Sequence, residues 1–144
     1  MTNEELFAEW EKDAKIDATQ LDVESLKIPQ LHSKYTQLYF KERAKLKGLK
    51  AKLATLRLEK FEFLTQGPCD ETRARGWKYP GGKILKGDVP MYLDGDPDMI
   101  QLNLQVGMLE ERLNFLDSIV RNLNNRGFQI KNAVDFMKWT HGQN

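Results

Sequence analysis

Apolar positions along this chain recur at helical spacing in four stretches, and each stretch predicts its own element. Near the start, Leu6, Phe7 and Trp10 share a helical face behind Thr2 and Glu5, whose spacing fits a capping box. Asp17, Ala18 and Thr19 interrupt that face and predict the cap of a second short helix, so residues 1–26 read as small N-terminal helices. Further on, Tyr35, Tyr39, Glu42, Leu46, Leu49, Leu53, Leu56, Lys60 and Phe63 follow steps of four and three, the heptad rule. Glu42 and Lys60 interrupt this seam with charge. Pro29 lacks an amide hydrogen and clashes with the preceding turn, which places it at a helix start or a kink. Residues 29–64 therefore read as one long helix.

Turn residues dominate the next stretch. Gly67-Pro68, Pro80-Gly81-Gly82, Gly87, Pro90 and Gly95-Asp96-Pro97 predict a long loop over 65–97. Two short strand-like pieces, 83–85 and 91–93, fall inside it. A new helix opens at Asp96 or Asp98, both good N-caps. Met99, Leu102, Val106, Leu109, Leu113, Leu116, Val120 and Leu123 follow at steps of three or four. Leu104, Met108, Phe115 and Ile119 add a second stripe, and a helix with two apolar faces must bury both. Asn124, Asn125 and Gly127 predict its end, giving a helix over 98–125. A short amphipathic helix over 128–140 turns Phe128, Ile130, Ala133, Val134 and Met137 inward. The predicted fold is all-α. A long antiparallel helical hairpin in one domain (residues 1–144) carries short terminal helices and a long Gly/Pro-rich loop. Its apolar surface exceeds what a monomer of 144 residues buries, which predicts self-association.

Composition narrows the class. Hydrophobic residues make up 40% and charged residues 30%, as in a soluble protein. No apolar run approaches the roughly 20 residues needed to span a bilayer, and residues 1–10 lack the pattern of a secretory signal. The expectation is a protein with no membrane association. The net charge of +1 hides strong segregation. Residues 1–26 hold eight acids against two bases, 27–60 ten bases against two acids, and 91–120 six acids against one base.

Candidate chemistry is sparse. His32 and His141 are the two histidines, and neither has a catalytic neighbour in sequence. Cys69 is the single cysteine, so an intramolecular disulfide is excluded. Asp94, Asp96 and Asp98 resemble the opening of a calcium loop. The sixth and twelfth positions of that loop want glycine and glutamate, and Met99 and Gln105 stand there. Helix capping accounts better for these aspartates. Gly81-Gly82-Lys83 continues with Ile84, not the Ser or Thr of a phosphate loop. No metal, cofactor or enzymatic activity is expected.

The basic helix remains. Lys41, Arg43, Lys45, Lys47, Lys50, Lys52, Arg57 and Lys60 are joined by Arg73, Arg75, Lys78, Lys83 and Lys86. Cations for phosphates and aromatic faces for bases are what single strands require, and Arg73–Tyr79 offers both. The same cations also suit acidic segments of this or a neighbouring chain. Nucleic-acid binding and a coiled-coil scaffold or chaperone-like role both stay open on the residues alone.

Three segments add a resemblance: Lys15-Ile16-Asp17-Ala18-Thr19-Gln20-Leu21, Leu31-His32-Ser33-Lys34-Tyr35 and, above all, Asn125-Arg126-Gly127-Phe128-Gln129-Ile130-Lys131. In order and spacing the chain resembles the UvsY family of phage recombination mediators. The resemblance covers nearly the whole chain, with the 66–97 loop least similar. It implies a non-enzymatic protein of the infected bacterial cytoplasm that binds single-stranded DNA without sequence preference. It implies a homo-oligomeric ring, hexamer or heptamer. It further implies loading of a RecA-like phage recombinase onto strands covered by the phage single-strand-binding protein. The family's DNA-contact motif, Leu-Lys-Ala-Arg-Leu, falls on Leu56-Arg57-Leu58-Glu59-Lys60-Phe61, where Arg57 and Lys60 stand three apart. The contacts expected are Arg57, Lys60, Lys52, Lys50, Arg43 and Lys45. The family's C-terminal association segment falls on Phe128, Ile130, Val134 and Met137.

Overall fold

A computed structural model describes residues 1–142, and every regular element among them is helical. Helix α1 spans Asn3–Ala14, α2 Leu21–Gln66, α3 Asp70–Ala74, α4 Val89–Asp94 and α5 Pro97–Thr140, with a 3-10 turn over Lys86–Asp88 before α4. The described chain divides into two compact units. Residues 1–43 with the described residues from Glu111 onward form the first, and Ala44–Glu110 the second. No helix among the described residues is long and apolar enough to cross a membrane.

In the first unit, α1 starts from the predicted capping box. Thr2 Oγ1 accepts from Glu5 N–H at 3.1 Å, and Glu5 Oε2 accepts from Thr2 N–H at 2.9 Å. Asp17 Oδ1 then accepts from the backbone and hydroxyl of Thr19, which turns the chain into α2. Leu6 meets Tyr35 of α2 and Leu116, Ile119 and Leu123 of α5 in the core, with Trp10, Leu31 and Phe115 packed around it. Phe7 adds an edge-to-face contact with Phe115 at 4.9 Å.

The helix start expected at Pro29 and the helix end expected at Asn124, Asn125 and Gly127 are absent. Pro29 lies inside α2, which starts at Leu21 and so joins the expected short helix to the long one. Proline in a helix interior costs about 3 kcal/mol. Buried Glu24 and half-buried Ile28 before it, and Leu31 and Tyr35 after it, hold both flanks in helical register. Likewise α5 runs through Asn124, Asn125 and Gly127 to Thr140, merging the two helices expected there. Gly127 costs about 1 kcal/mol in a helix. Burial of Leu123, Arg126 and Ile130 on one face outweighs it.

The second unit is built around Phe63, Leu64, Val89 and Leu93, with Trp77, Tyr79 and Ile84 packed against them. The Gly/Pro-rich segment is thus not a bare loop, since it contributes α3, the 3-10 turn, α4 and half of a core. Neither strand-like piece forms a strand: 83–85 has no regular structure and 91–93 lies in α4. Asp96 caps α5, with its Oδ2 accepting from Met99 N–H at 3.0 Å. Met99, Val106 and Leu46 are buried in this unit as their periodicity predicts.

Candidate nucleic-acid interface

The seam of α2 faces inward, so the flanking positions decide which cations stay accessible. In the second unit, Lys47, Lys50, Ala54, Arg57 and Phe61 succeed one another at steps of three and four and share one exposed face. Lys45 and Lys52 are exposed on the other side of the seam. Lys47, Lys52 and Arg57 form no ion pair among the described residues. Lys50 reaches Glu110 at 3.5 Å, with both side chains about half exposed. Such a pair is worth well under about 1 kcal/mol and releases readily to a phosphate. In the first unit, Lys41 and Arg43 are also exposed and form no ion pair among the described residues.

Lys60 is different. It is 5% exposed. Its ammonium lies 2.8 Å from Asp98 and 3.1 Å from Asp96, and 3.9 Å from the centre of the Trp77 ring. The expectation that Lys60 joins Arg57 on a DNA strand is corrected, because Lys60 occupies the seam itself. Three residues back, Arg57 is turned about 60° away and reaches solvent. A cation on an inward position needs compensating charge, which the first turn of α5 supplies.

The Arg73–Tyr79 cluster is also committed within the fold. Trp77 and Tyr79 both meet Phe63 edge-on, with ring centres 5.5 Å apart in each pair. The Tyr79 hydroxyl donates to the Leu64 carbonyl at 3.2 Å. Arg75 pairs with Glu59 and lies 4.2 Å from the centre of the Trp77 ring, while Arg73 pairs with Asp70. Trp77 therefore faces two cations of its own chain and is half-buried, not an open platform for bases.

Among the expected association residues, Phe128 is 70% exposed and Met137 40% exposed. Val134 is half-buried, and Ile130 is buried in its own chain, which corrects its assignment to a partner surface. Phe136 and Trp139 are also exposed on the same helix, with ring centres 6.3 Å apart.

Arg126, quoted in sequence only as part of a motif, is the largest fully buried side chain. Its guanidinium donates to the carbonyls of Asp13 at 3.0 Å and Ala14 at 3.2 Å, closing the C-terminal end of α1. It lies 5.6 Å from the centre of the Trp10 ring. Burial holds its pKa below the usual arginine value, against the opposing pull of Glu24 and Asp13. Beside it, Asp13 accepts from Tyr35 Oη and Lys34 Nζ, each at 2.7 Å. Burial pushes Asp13 up, but the hydrogen bonds from Lys34 and Tyr35 and the Lys34 charge outweigh it and hold the carboxyl below its ordinary value. The signal in sequence is the same as for Lys60: a cation three residues from Leu123 and four from Ile130 stands on an inward face.

Two solved structures of the bacteriophage T4 recombination mediator protein UvsY, in different crystal lattices, share this fold. One matches with a TM-score of 0.82 at 20% identity, over 94% of this chain and 98% of that one. The other matches with a TM-score of 0.79 at 19% identity, over 97% and 99%. No curated protein matches the chain at comparable stringency. The family described as "Recombination, repair and ssDNA binding protein UvsY" matches residues 9–143. With nearly its whole length matched, the chain belongs to the UvsY family of recombination, repair and single-stranded-DNA-binding proteins.

Proposed function

We propose that the protein is a non-enzymatic recombination mediator. In this reading it holds single-stranded DNA and promotes loading of a RecA-like phage recombinase onto strands covered by single-strand-binding protein, in the cytoplasm of the infected host. The observation that carries the reading is the exposed cation set Lys47, Lys52 and Arg57 on α2, without an ion-pair partner among the described residues, within a chain of this family. Lys50 joins them on DNA by exchanging Glu110 for a phosphate. In the second unit, Lys50 pairs with Glu110 and Lys60 with Asp98, which supports antiparallel helices there, as a hairpin requires.

Self-association through Phe128, Met137 and the neighbouring Phe136 and Trp139 repeats the basic helix around a ring of one helical subunit per chain. Each subunit offers a modest positive patch, and the ring multiplies its effective concentration along a continuous strand. The strand is held by binding energy, and no bond is made or broken.

The rival, a coiled-coil scaffold without nucleic acid, draws on one observation. Lys60 already pairs with Asp96 and Asp98 at the start of α5, and Lys50 with Glu110 further along it. Anisotropy of a labelled single-stranded oligonucleotide over a salt series, with a duplex control, separates the two. The mediator reading expects single-strand preference and affinity that falls with salt. Replacing Lys47, Lys52 and Arg57 by Gln lowers the log–log salt slope by about 0.7 for each phosphate no longer neutralised. No binding at low salt leaves the scaffold.

A further inference from the structure

Phe61 and Arg57 open onto a groove of about 480 Å³ between α2 and the segment 86–93, whose floor is Leu58, Val89 and Pro90 and whose far side carries Lys86. We infer that this groove is a nucleotide subsite, in which an unpaired base stacks on the Phe61 ring while Arg57 and Lys86 hold the flanking phosphates. The inference rests on the single-strand-binding reading and deepens it, because it assigns a base contact where the charge pattern supplies only phosphates.

Three observations carry it. Phe61 is 42% exposed and meets no other ring among the described residues, unlike Phe63 on the adjacent inward position. An exposed aromatic beside an apolar floor is costly in water and fits the flat face of a base. Arg57 and Lys86 stand at the same groove, and neither has an ion-pair partner among the described residues. The charge is thus of one sign, complementary to a phosphodiester and unsuited to an apolar peptide or to burial under a second copy. The groove also lies on the face that Lys50 and Lys47 continue, so a strand leaving Arg57 meets further cations about 10 and about 15 Å along the helix. In a duplex each base face is covered by stacking on the neighbouring pairs and its edge is held by its partner, so such a subsite accepts a single strand and refuses a duplex.

The test compares the full-length chain with F61A, F61Y and K86Q in anisotropy titrations. The probes are a labelled deoxythymidine oligomer and an abasic oligomer of equal length. The unaltered protein is expected to bind the thymidine oligomer at least fivefold tighter than the abasic one. F61A is expected to erase that ratio, F61Y to restore it, and K86Q to weaken both probes alike. A parent that binds both probes equally, or an F61A variant that keeps the full ratio, overturns the base contact while leaving phosphate binding in place. Failure of the parent to bind either probe removes the single-strand reading and this inference with it. Sedimentation of F61A at matched concentration closes the alternative. A changed oligomer size means that a second copy covers the groove, and the subsite is rejected.

Discussion

Each unit buries one cation against a tryptophan among the described residues, and the two do it by different direct contacts. In the first, Arg126 faces Trp10 and donates from its two terminal nitrogens to carbonyls at the end of α1, near the charges of Glu24 and Asp13, while its buried Nε finds no partner among the described residues. In the second, Lys60 faces Trp77 and is satisfied by two carboxylates at the start of α5. The planar guanidinium spreads its charge over several donors and fits a helix end whose last carbonyls have no intrahelical partner. The compact ammonium is more strongly hydrated and calls for full countercharge. Both cations act as fasteners: Arg126 ties α1 to α5, and Lys60 ties the segment 70–98 to α2. The cations left over on α2 are then the ones available to a ligand, so counting basic residues overstates the interface.

The comparison breaks most sharply at Arg126. Arg126→Met removes charge-assisted bonds from two helix-end carbonyls in a fully buried site, and is expected to destabilise the protein by about 3 kcal/mol. Urea unfolding at fixed protein concentration measures it, and a loss under about 1 kcal/mol contradicts the fastener role. Lys60→Met should cost less, about 2 kcal/mol, because Asp98 is more than half exposed and water takes over its solvation. Its signature is local: amide exchange quickens over 70–95 while Leu6 and Tyr35 stay protected. Uniform acceleration through both units counts against a separate fastener in the second.

The smallest effect concerns the acid beside Arg126. Asp13 is held below its ordinary pKa in the folded state, so its contribution is complete above the ordinary value and is lost as pH falls through the folded one. Acid titration should show the parent losing stability over that range. Asp13→Asn should start less stable at neutral pH and lose less on acidification. Parallel acid limbs for the two proteins dismiss the linkage.

Periodicity made much of this legible. The seam of α2 was readable even at Glu42 and Lys60, because a step of three or four fixes which side of a helix a residue faces whatever its chemistry. The capping box at Thr2 and Glu5 was readable because both partners lie within one turn. Pro29 and Gly127 misled for one reason: propensity is local, and burial on either side of each outweighs its cost. Helix α4 was hidden because the core partners of Val89 and Leu93, namely Phe63 and Leu64, are distant in sequence, and α3 was hidden because it buries no side chain that would mark a face. At the interface, the basic character of α2 was plain, but its sorting into free and committed cations was not.

The sequence alone determined that the chain is helical and that one helix is basic, since these follow from spacing and residue type. Tertiary structure decided which cations remain for a ligand. That choice depends on where Asp96, Asp98, Trp77 and Glu59 come to rest, and such pairings between distant segments leave no periodic trace in the chain.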